Sequence, residues 1–468
     1  MRFIYHLIWT RVALSQNRTD TFKERRNGFM NDKYPPLTLK AAAVMDFLPA
    51  VTQCVETAAG YYGLGTNETL KLRLAAEEIF SYLCQRVCRG NPVDVICQSG
   101  LFFARVAFHF SVSALDMGAL NMTTSVSFDG DEDMAQMGLV IAARTVDRLF
   151  LSAGTQNAVT LTIEQDKAYP AVDRVEVKTI EAKGELAVLP PNEEDLRRFA
   201  LQAAMCARDP HRPDFFAYPG KVADMVASGS YQAVVAKDEA QTIAGGLLYR
   251  ALTEKIVEVF SPCVFDPSRE ERISTMLMEA CMVRTARTKA VGLVSLTGLP
   301  DSLRRQFEPL GDMVDARDGK GGWMSRAYCR LLHEDPGCQV WTHPSLRSFL
   351  EKEYHRLFLA RDIREVQEWG EASRVGPSIF STEIHRGKSE AFLRPLWPGR
   401  DFPENVARHV ALCKKESLQN IFFSVDLGVS WHAHLAPVLM KSEFKPRMII
   451  PFAGQADLVF FQYDESES

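Results

Sequence analysis

The sequence predicts an α/β (α+β) protein built as a row of layered units, and three observations carry that prediction. Apolar residues recur at helical spacing in some segments and at alternate positions in others, and the two kinds of segment interleave from residue 47 to residue 463. A length of 468 residues suffices for about two to four domains. The composition, 46% hydrophobic and 24% charged, is that of a globular chain with a core in each.

The elements follow in order. Residues 1–29 begin apolar but are interrupted by His6 and Arg11, then turn polar and basic, so a disordered leader is expected there, or a start at Met30. Phe47, Leu48, Val51 and Val55 predict a helix ending near Gly60 and Gly63. A second helix starts at Thr66 or Asn67 as cap, buries Leu72, Ala76, Ile79, Leu83 and Val87, and closes at Gly90. Residues 93–97 and 101–112 read as strands, 134–150 as a helix and 158–163 as a strand. This first unit, 30–165, is expected to be a layered sandwich.

After a linker at 165–183, a unit at 184–335 is expected. It has a strand running into Pro190-Pro191, helices at 192–206 and 220–228, and strands at 231–236, 243–249 and 256–260. A long helix at 267–288, a strand at 291–296 and a helix at 302–307 complete it. A third unit, 336–468, starts with a strand at Cys338 and a helix at 344–357, followed by strands at 378–385 and 389–394 and a helix at 404–415. It ends with a strand at 421–425, a helix at 434–441, and strands at 447–452 and 457–463.

A net charge of −5 gives no electrostatic case for nucleic acid or an anionic membrane surface, so neither is expected as a partner. No apolar run approaches the roughly 20 residues a membrane helix needs. The ten cysteines, at 54, 84, 88, 97, 206, 263, 281, 329, 338 and 413, show no repeating spacing, as reduced thiols of a cytoplasmic protein would.

The richest stretch chemically is Leu74-Ala75-Ala76-Glu77-Glu78-Ile79-Phe80-Ser81-Tyr82-Leu83. Glu78 and Tyr82 stand four apart on one helix face. Downstream come Leu115-Asp116-Met117-Gly118, Gln136-Met137-Gly138-Leu139-Val140-Ile141 and Gly154-Thr155-Gln156-Asn157-Ala158-Val159-Thr160-Leu161. In this order the segments resemble the nucleotide site of GHKL ATPases, which include histidine kinases, and most closely the anti-sigma-factor branch. The resemblance covers about residues 37–164. It implies Glu78 as the catalytic base, the position of Tyr82 as that of a Mg²⁺-holding Asn, and Asp116 and Gly118 at the adenine. It implies Gly138 at a helix start facing phosphate.

Three departures oppose turnover. A phenol is a poor ligand for a hard cation, Leu120 stands where a second glycine belongs, and Gln136-Met137-Gly138 replaces a Gly-x-Gly lead-in. ATP is therefore expected to bind weakly or not at all.

Residues 185–335 resemble a GNAT acetyltransferase domain, with Gln232-Ala233-Val234-Val235-Ala236 into Gly245-Gly246-Leu247 as its central hairpin. The resemblance implies a turn at Arg269-Glu270-Glu271-Arg272-Ile273-Ser274 whose backbone amides would hold the pyrophosphate of acetyl-CoA. Arg272 and Ser274 replace glycines there, and Glu270 and Glu271 would repel a diphosphate; Arg269 and Arg272 partly compensate. The stretch from Asp426-Leu427 through 440–445 to 458–463 resembles the last part of the same fold, so the third unit reads as a second, divergent copy without that turn.

Other groupings say less. His432 and His434 lack a further ligand at a familiar spacing, so no metal site is expected; Cys84 and Cys88 read as buried thiols. No G-x-S-x-G or Walker motif occurs. The reading that follows is a bacterial, cytoplasmic regulatory protein that meets a protein partner, with ATP and acetyl-CoA as doubtful cofactors. Two alternatives stay open: a GNAT acetyltransferase regulated by nucleotide, and an anti-sigma-type serine kinase.

Overall fold

The computed structural model describes residues 34–111, 121, 131–153, 158–172, 180–205, 213–314, 323–367, 376–385 and 389–464. It is a mixed α/β structure, as the interleaved periodicities predict. Among the described residues no helix is long and apolar enough to cross a membrane.

The first sheet is antiparallel and carries its helices on one face. Its elements are β1 (Leu37–Ala42), α1 (Leu48–Tyr61), α2 (Thr66–Tyr82), β2 (Pro92–Ser99), β3 (Phe103–Ser111), α3 (Asp131–Thr145), β4 (Arg148–Ala153) and β5 (Ala158–Asp166), with strand order β1-β2-β3-β5-β4. Alternation places Val93, Val95 and Cys97 of β2 inward, against Val51 and Val55 of α1 and Leu72, Ala76 and Ile79 of α2. The α2 helix starts one residue after Gly65 without a side-chain cap, so neither Thr66 nor Asn67 serves as one. It runs into a π-helical turn, Leu83–Val87, before Gly90 turns the chain at φ +90°.

Two elements depart from the sequence reading. β1 was not foreseen, and residues 148–150, expected to extend a helix, form β4. Leu149 and Phe150 continue the helical spacing of Ala142 and Val146, yet pairing with β5 across 148–153 decides the backbone.

The second sheet contains β6 (Ala187–Leu189), α4 (Glu193–Met205), α5 (Pro219–Ala227), β7 (Gln232–Lys237), β8 (Ile243–Ala251), β9 (Ile256–Val259), β10 (Cys263–Val264), α6 (Glu270–Thr285), β11 (Gly292–Ser295), α7 (Asp301–Arg304), β12 (Glu308–Val314) and β13 (Trp323–Leu331). Strand order is β12-β13-β11-β9-β8-β7-β6, with β10 against β8. Pairing is antiparallel except between β9 and β11, which run parallel over three residue pairs and end at Glu258↔Val294. Gly245 and Gly246 make the layers possible. A Cβ on Gly246 would collide with the Phe199 ring of α4, and one on Gly245 with the Cys263 carbonyl and Ile273 of α6.

The rest comprises β14 (Cys338–Thr342), α8 (Pro344–Arg356), β15 (Arg361–Glu365), β16 (Ile379–His385), β17 (Glu390–Trp397), α9 (Phe402–Lys415), β18 (Asn420–Asp426), α10 (Ser430–Ala433), α11 (Ala436–Lys441), β19 (Phe444–Ile450) and β20 (Leu458–Tyr463). β14 and β15 pair in parallel, and the last five strands form a sheet ordered β16-β17-β18-β20-β19. Here too one pair, β17 and β18, is parallel, and the helix α9 joins it. The helix expected at 434–441 forms only from Ala436, with the short α10 ahead of it, and β12, β13 and β15 were not foreseen.

Contacts between sheets are extensive. Leu310, Ala327 and Cys329 of the second sheet share one core with Leu346 and Leu350 of α8 and with Met448 of β19. The Gln462 amide exchanges two hydrogen bonds with the Val314 backbone of β12, at 3.0 and 2.5 Å. Arg361, its side chain fully buried, pairs with Asp457 and Asp335 at 2.6 Å each. Between first and second sheets, Phe102 enters the core under α4 and α5, and Lys221 of α5 reaches Asp166 at 2.7 Å. Asp166 and Glu164 also hold Arg148.

Candidate functional site

Three of the residues expected at the nucleotide site can be placed. Glu78 lies half-buried on α2 facing α3; a Cβ on Gly138 would collide with its carboxylate. Burial, then repulsion from Glu77, raises the Glu78 pKa above the ordinary carboxylate value. Tyr82, on the same helix, is 2% exposed within the hydrophobic core of the first sheet. Ala75 and Ala76 on α2 and Ala142 on α3 are fully buried, and such small residues let the two helices approach closely. Asp116, Gly118 and 154–157 lie outside the described residues.

Gly138 occupies a different local setting from the one the resemblance implies. The helix begins at Asp131, so Gly138 sits in its third turn rather than at its start. Only the first four amides of a helix lack intrahelical acceptors, so the Gly138 amide has none to spare for a phosphate. Glu78 and Gly138 are brought together, but as a helix-packing contact.

The stretch between β3 and α3 supplies one further described residue, Asn121, which is buried. Its amide donates to the Ser378 carbonyl at 2.8 Å, and its oxygen accepts from the Phe380 backbone at 2.9 Å and from Asn405 at 3.3 Å. Ile379 joins the core of the first sheet. Asn121 is thereby anchored to β16 and α9.

At the start of α6 the structure separates the three residues expected to meet acetyl-CoA. Arg269 turns back along the chain and donates to the carbonyls of Gly184 at 2.9 Å and Ala182 at 2.7 Å. Arg272 is exposed, whereas Ser274 is buried on the sheet-facing side of α6. Just ahead of α6 lies Asp266, 1% exposed, whose carboxylate accepts from the Ser268 amide and the Ala182 amide at 3.1 Å each and from the Ser268 hydroxyl at 2.5 Å. Burial alone would raise the Asp266 pKa; the bonds from Ser268 and Ala182 and the Arg269 charge outweigh it and hold it low.

An anionic cofactor would meet a buried carboxylate at the helix start, and residues 180–184 strapped across it. These residues do not fit a pyrophosphate. A groove of about 410 Å³ lined by Tyr249, Arg284, Thr288 and Lys289 lies at the other end of α6.

Sequence reasoning missed a buried group in the same sheet. Arg250 on β8 pairs with Glu258 on β9 at 2.7 Å and donates to the Tyr231 hydroxyl at 2.6 Å, its guanidinium lying 5.3 Å from the Tyr231 ring centre and 5.8 Å from that of Phe260. Burial raises the Glu258 pKa, and the Arg250 charge opposes the rise. The available signal was a single charge in each of two apolar strands, Tyr249-Arg250-Ala251 and Val257-Glu258-Val259, opposite in sign across a hairpin. His432 is buried, its Nδ1 accepting from the Asp426 amide at 3.2 Å. Among the described residues no group of three or more His, Cys, Asp or Glu is placed to hold a metal.

No family model and no curated protein matches the chain. Solved structures do. A GNAT-family acetyltransferase from Staphylococcus aureus Mu50 matches at 17% identity and TM-score 0.24, covering 32% of this chain and 99% of that one. The yncA protein of Salmonella typhimurium, solved with its cofactor acetyl-CoA, matches at 14% and 0.26, covering 32% and 96%. The RsbU and RsbW domains of Rv1364c from Mycobacterium tuberculosis match at 14% and 0.22, covering 29% of this chain and 33% of that one, so the match spans a third of that protein. At these identities and scores the likeness carries no argument about what this chain binds or catalyses.

Proposed function

We propose that this is a cytoplasmic regulatory protein, one that works by meeting a protein partner and not by acetyl or phosphoryl transfer. In it the positions resembling an ATP site and an acetyl-CoA site are taken up by groups of the chain itself. One observation carries the reading: just ahead of α6 the buried Asp266 carboxylate takes the Ser268 and Ala182 amides and Arg269 pins the strap beside it, so a pyrophosphate arriving at that turn would meet an enclosed negative charge. The packing of Glu78 against Gly138, and the burial of Tyr82 in the core, support the same conclusion for ATP.

The test is calorimetric titration of the full chain with acetyl-CoA and with Mg²⁺-ATP. Acetyl-CoA should show no saturable binding, and ATP should bind no tighter than millimolar, about 4 kcal/mol. A micromolar acetyl-CoA affinity lost on Arg269→Glu would make the protein an acetyltransferase instead. Micromolar ATP binding abolished by Asp116→Ala would favour the kinase.

A further inference from the structure

The groove at the far end of α6 is used by neither resemblance. Its floor belongs to the core between α6 and the second sheet: Val257 and Ala290 are part of that core and only 7% and 1% exposed, and Tyr249 of β8 lines it beside them. One wall is the turn between β8 and β9. The Thr253 hydroxyl fixes this turn, donating to the Phe452 carbonyl at 2.8 Å and accepting from the Lys255 and Ile256 amides at 3.2 Å each. The other wall is the end of α6, where the last carbonyls already have partners. The Met282 carbonyl takes the Ala286 amide, that of Arg284 the Arg287 amide, and that of Thr285 both the amide and the hydroxyl of Thr288. Side chains, and not carbonyls, therefore set the character of this wall.

Charge decides what such a groove would take. Arg284 and Lys289 are its cations and Glu254 its anion. Lys289 pairs with Glu254 at 2.7 Å, whereas no carboxylate among the described residues pairs with Arg284. A single uncompensated positive charge thus stands beside an apolar floor. The volume of about 410 Å³ lies near the lower end of the roughly 300–1,000 Å³ found for ligand pockets, which suits a small metabolite.

We propose that this groove binds a small monocarboxylate with an aromatic or branched aliphatic body, the body against Tyr249, Val257 and Ala290 and the carboxylate on Arg284. A guanidinium offers a carboxylate two parallel N–H donors, a pairing that an ammonium cannot make. A dianionic phosphate would bring more charge than Arg284 balances and would stand near Glu254, so the groove favours one negative charge. The apolar body leaves water for a floor that is already part of the core, and it adds affinity without ordering the chain. Asp266 and Arg269 lie at the opposite end of α6, so this site does not depend on how the α6 start is filled.

The experiment titrates the full chain with phenylpropanoate and with isovalerate, followed by saturation-transfer NMR of the ligand. Three controls run beside them: phenylpropanol, which has the body without the charge, phenylpropylamine, which reverses the charge, and acetate, which lacks the body. The two carboxylates should saturate at millimolar concentration or below, and the controls should not. Arg284→Gln should weaken carboxylate binding about tenfold or more. Ala251→Trp should fill the groove and abolish binding, and Glu254→Gln, which removes the ion pair with Lys289, should tighten it. All three positions are exposed, so each variant should keep the urea midpoint of the parent. Phenylpropanol binding as tightly as phenylpropanoate, carboxylate binding indifferent to Arg284→Gln and Ala251→Trp, or no saturable binding by either carboxylate would overturn the proposal.

Discussion

The starts of α6 and α9 can be compared directly, because each helix follows a strand of a parallel pair, β9 with β11 and β17 with β18. Both starts are occupied by an aspartate that accepts backbone hydrogen bonds from an incoming segment. Asp266 takes the Ala182 amide of the segment arriving from the first sheet. Asp401 takes the Ser378 amide at 2.6 Å and its hydroxyl at 2.9 Å, and pairs with Arg408 at 2.6 Å.

The difference lies in burial and in what the incoming segment carries. Asp266 is almost wholly enclosed and the Arg269 strap stays within its own unit, whereas Asp401 is a third exposed at its side chain, 30%, and Ser378 passes the connection on to Asn405 and Asn121. Neither carboxylate takes an amide of its own α-helix; each accepts from the segment that arrives beside it. In this protein both starts serve as joints between parts of the chain.

Acid should separate the two regions most strongly. Burial lowers His409 to about 4 and His432 to about 3, so both stay neutral in the fold while the unfolded chain protonates near the ordinary value. A depressed folded pKa contributes stability that is complete above the unfolded value and is lost as pH falls toward the folded one. The last sheet should therefore lose stability from about pH 6.5 downward, by roughly 3 kcal/mol per histidine at pH 4, partly offset by Asp426, whose carboxyl burial pushes up. Asp266, held low, should keep its contribution until pH falls below about 4. Urea unfolding at pH 7 and pH 5, followed by hydrogen exchange in each sheet, reads this; equal losses in both sheets would break the comparison.

Next comes the junction. Arg361→Ala strands the buried Asp457 and Asp335 and should cost about 3–5 kcal/mol in urea unfolding. A loss under about 1 kcal/mol would mean that the shared apolar core holds the second and third sheets together unaided.

The two aspartates give the smaller pair of effects. Asp266→Ala should cost about 2–3 kcal/mol, because it leaves the buried Ala182 amide without an acceptor and removes the cap on the Ser268 amide. Asp401→Ala, more exposed, should cost about 1 kcal/mol, seen as a smaller shift of the urea midpoint. The reverse order would show that the connection through Ser378 outweighs burial. Acetyl-CoA binding gained by Asp266→Ala alone would show that the carboxylate, and not the strap, keeps anions out.

Much of this was legible locally. Val51 with Val55, and Leu72 with Ala76 and Ile79, set α1 and α2 because a helix repeats within four residues. The pair Gly245-Gly246 marked the central hairpin, where two side layers crowd one strand. The candidate sites were less legible. The sequence aligned Arg269, Arg272 and Ser274 as a turn, yet α6 sends them to a carbonyl strap, to solvent and to the core.

By itself, then, the sequence determined the fold class and the order of most helices and buried strands. Tertiary structure alone decided the edge strands β1, β4, β12 and β15, which pair on one side only. It alone also brought Arg250 to Glu258 and Asn121 to Ser378. The physical reason is one of range: periodicity reports which face of an element is apolar, while hydrogen bonds and ion pairs form wherever folding leaves a buried donor beside an acceptor. Asn121 and Ser378 are 257 residues apart, and no local pattern in either segment encodes the other.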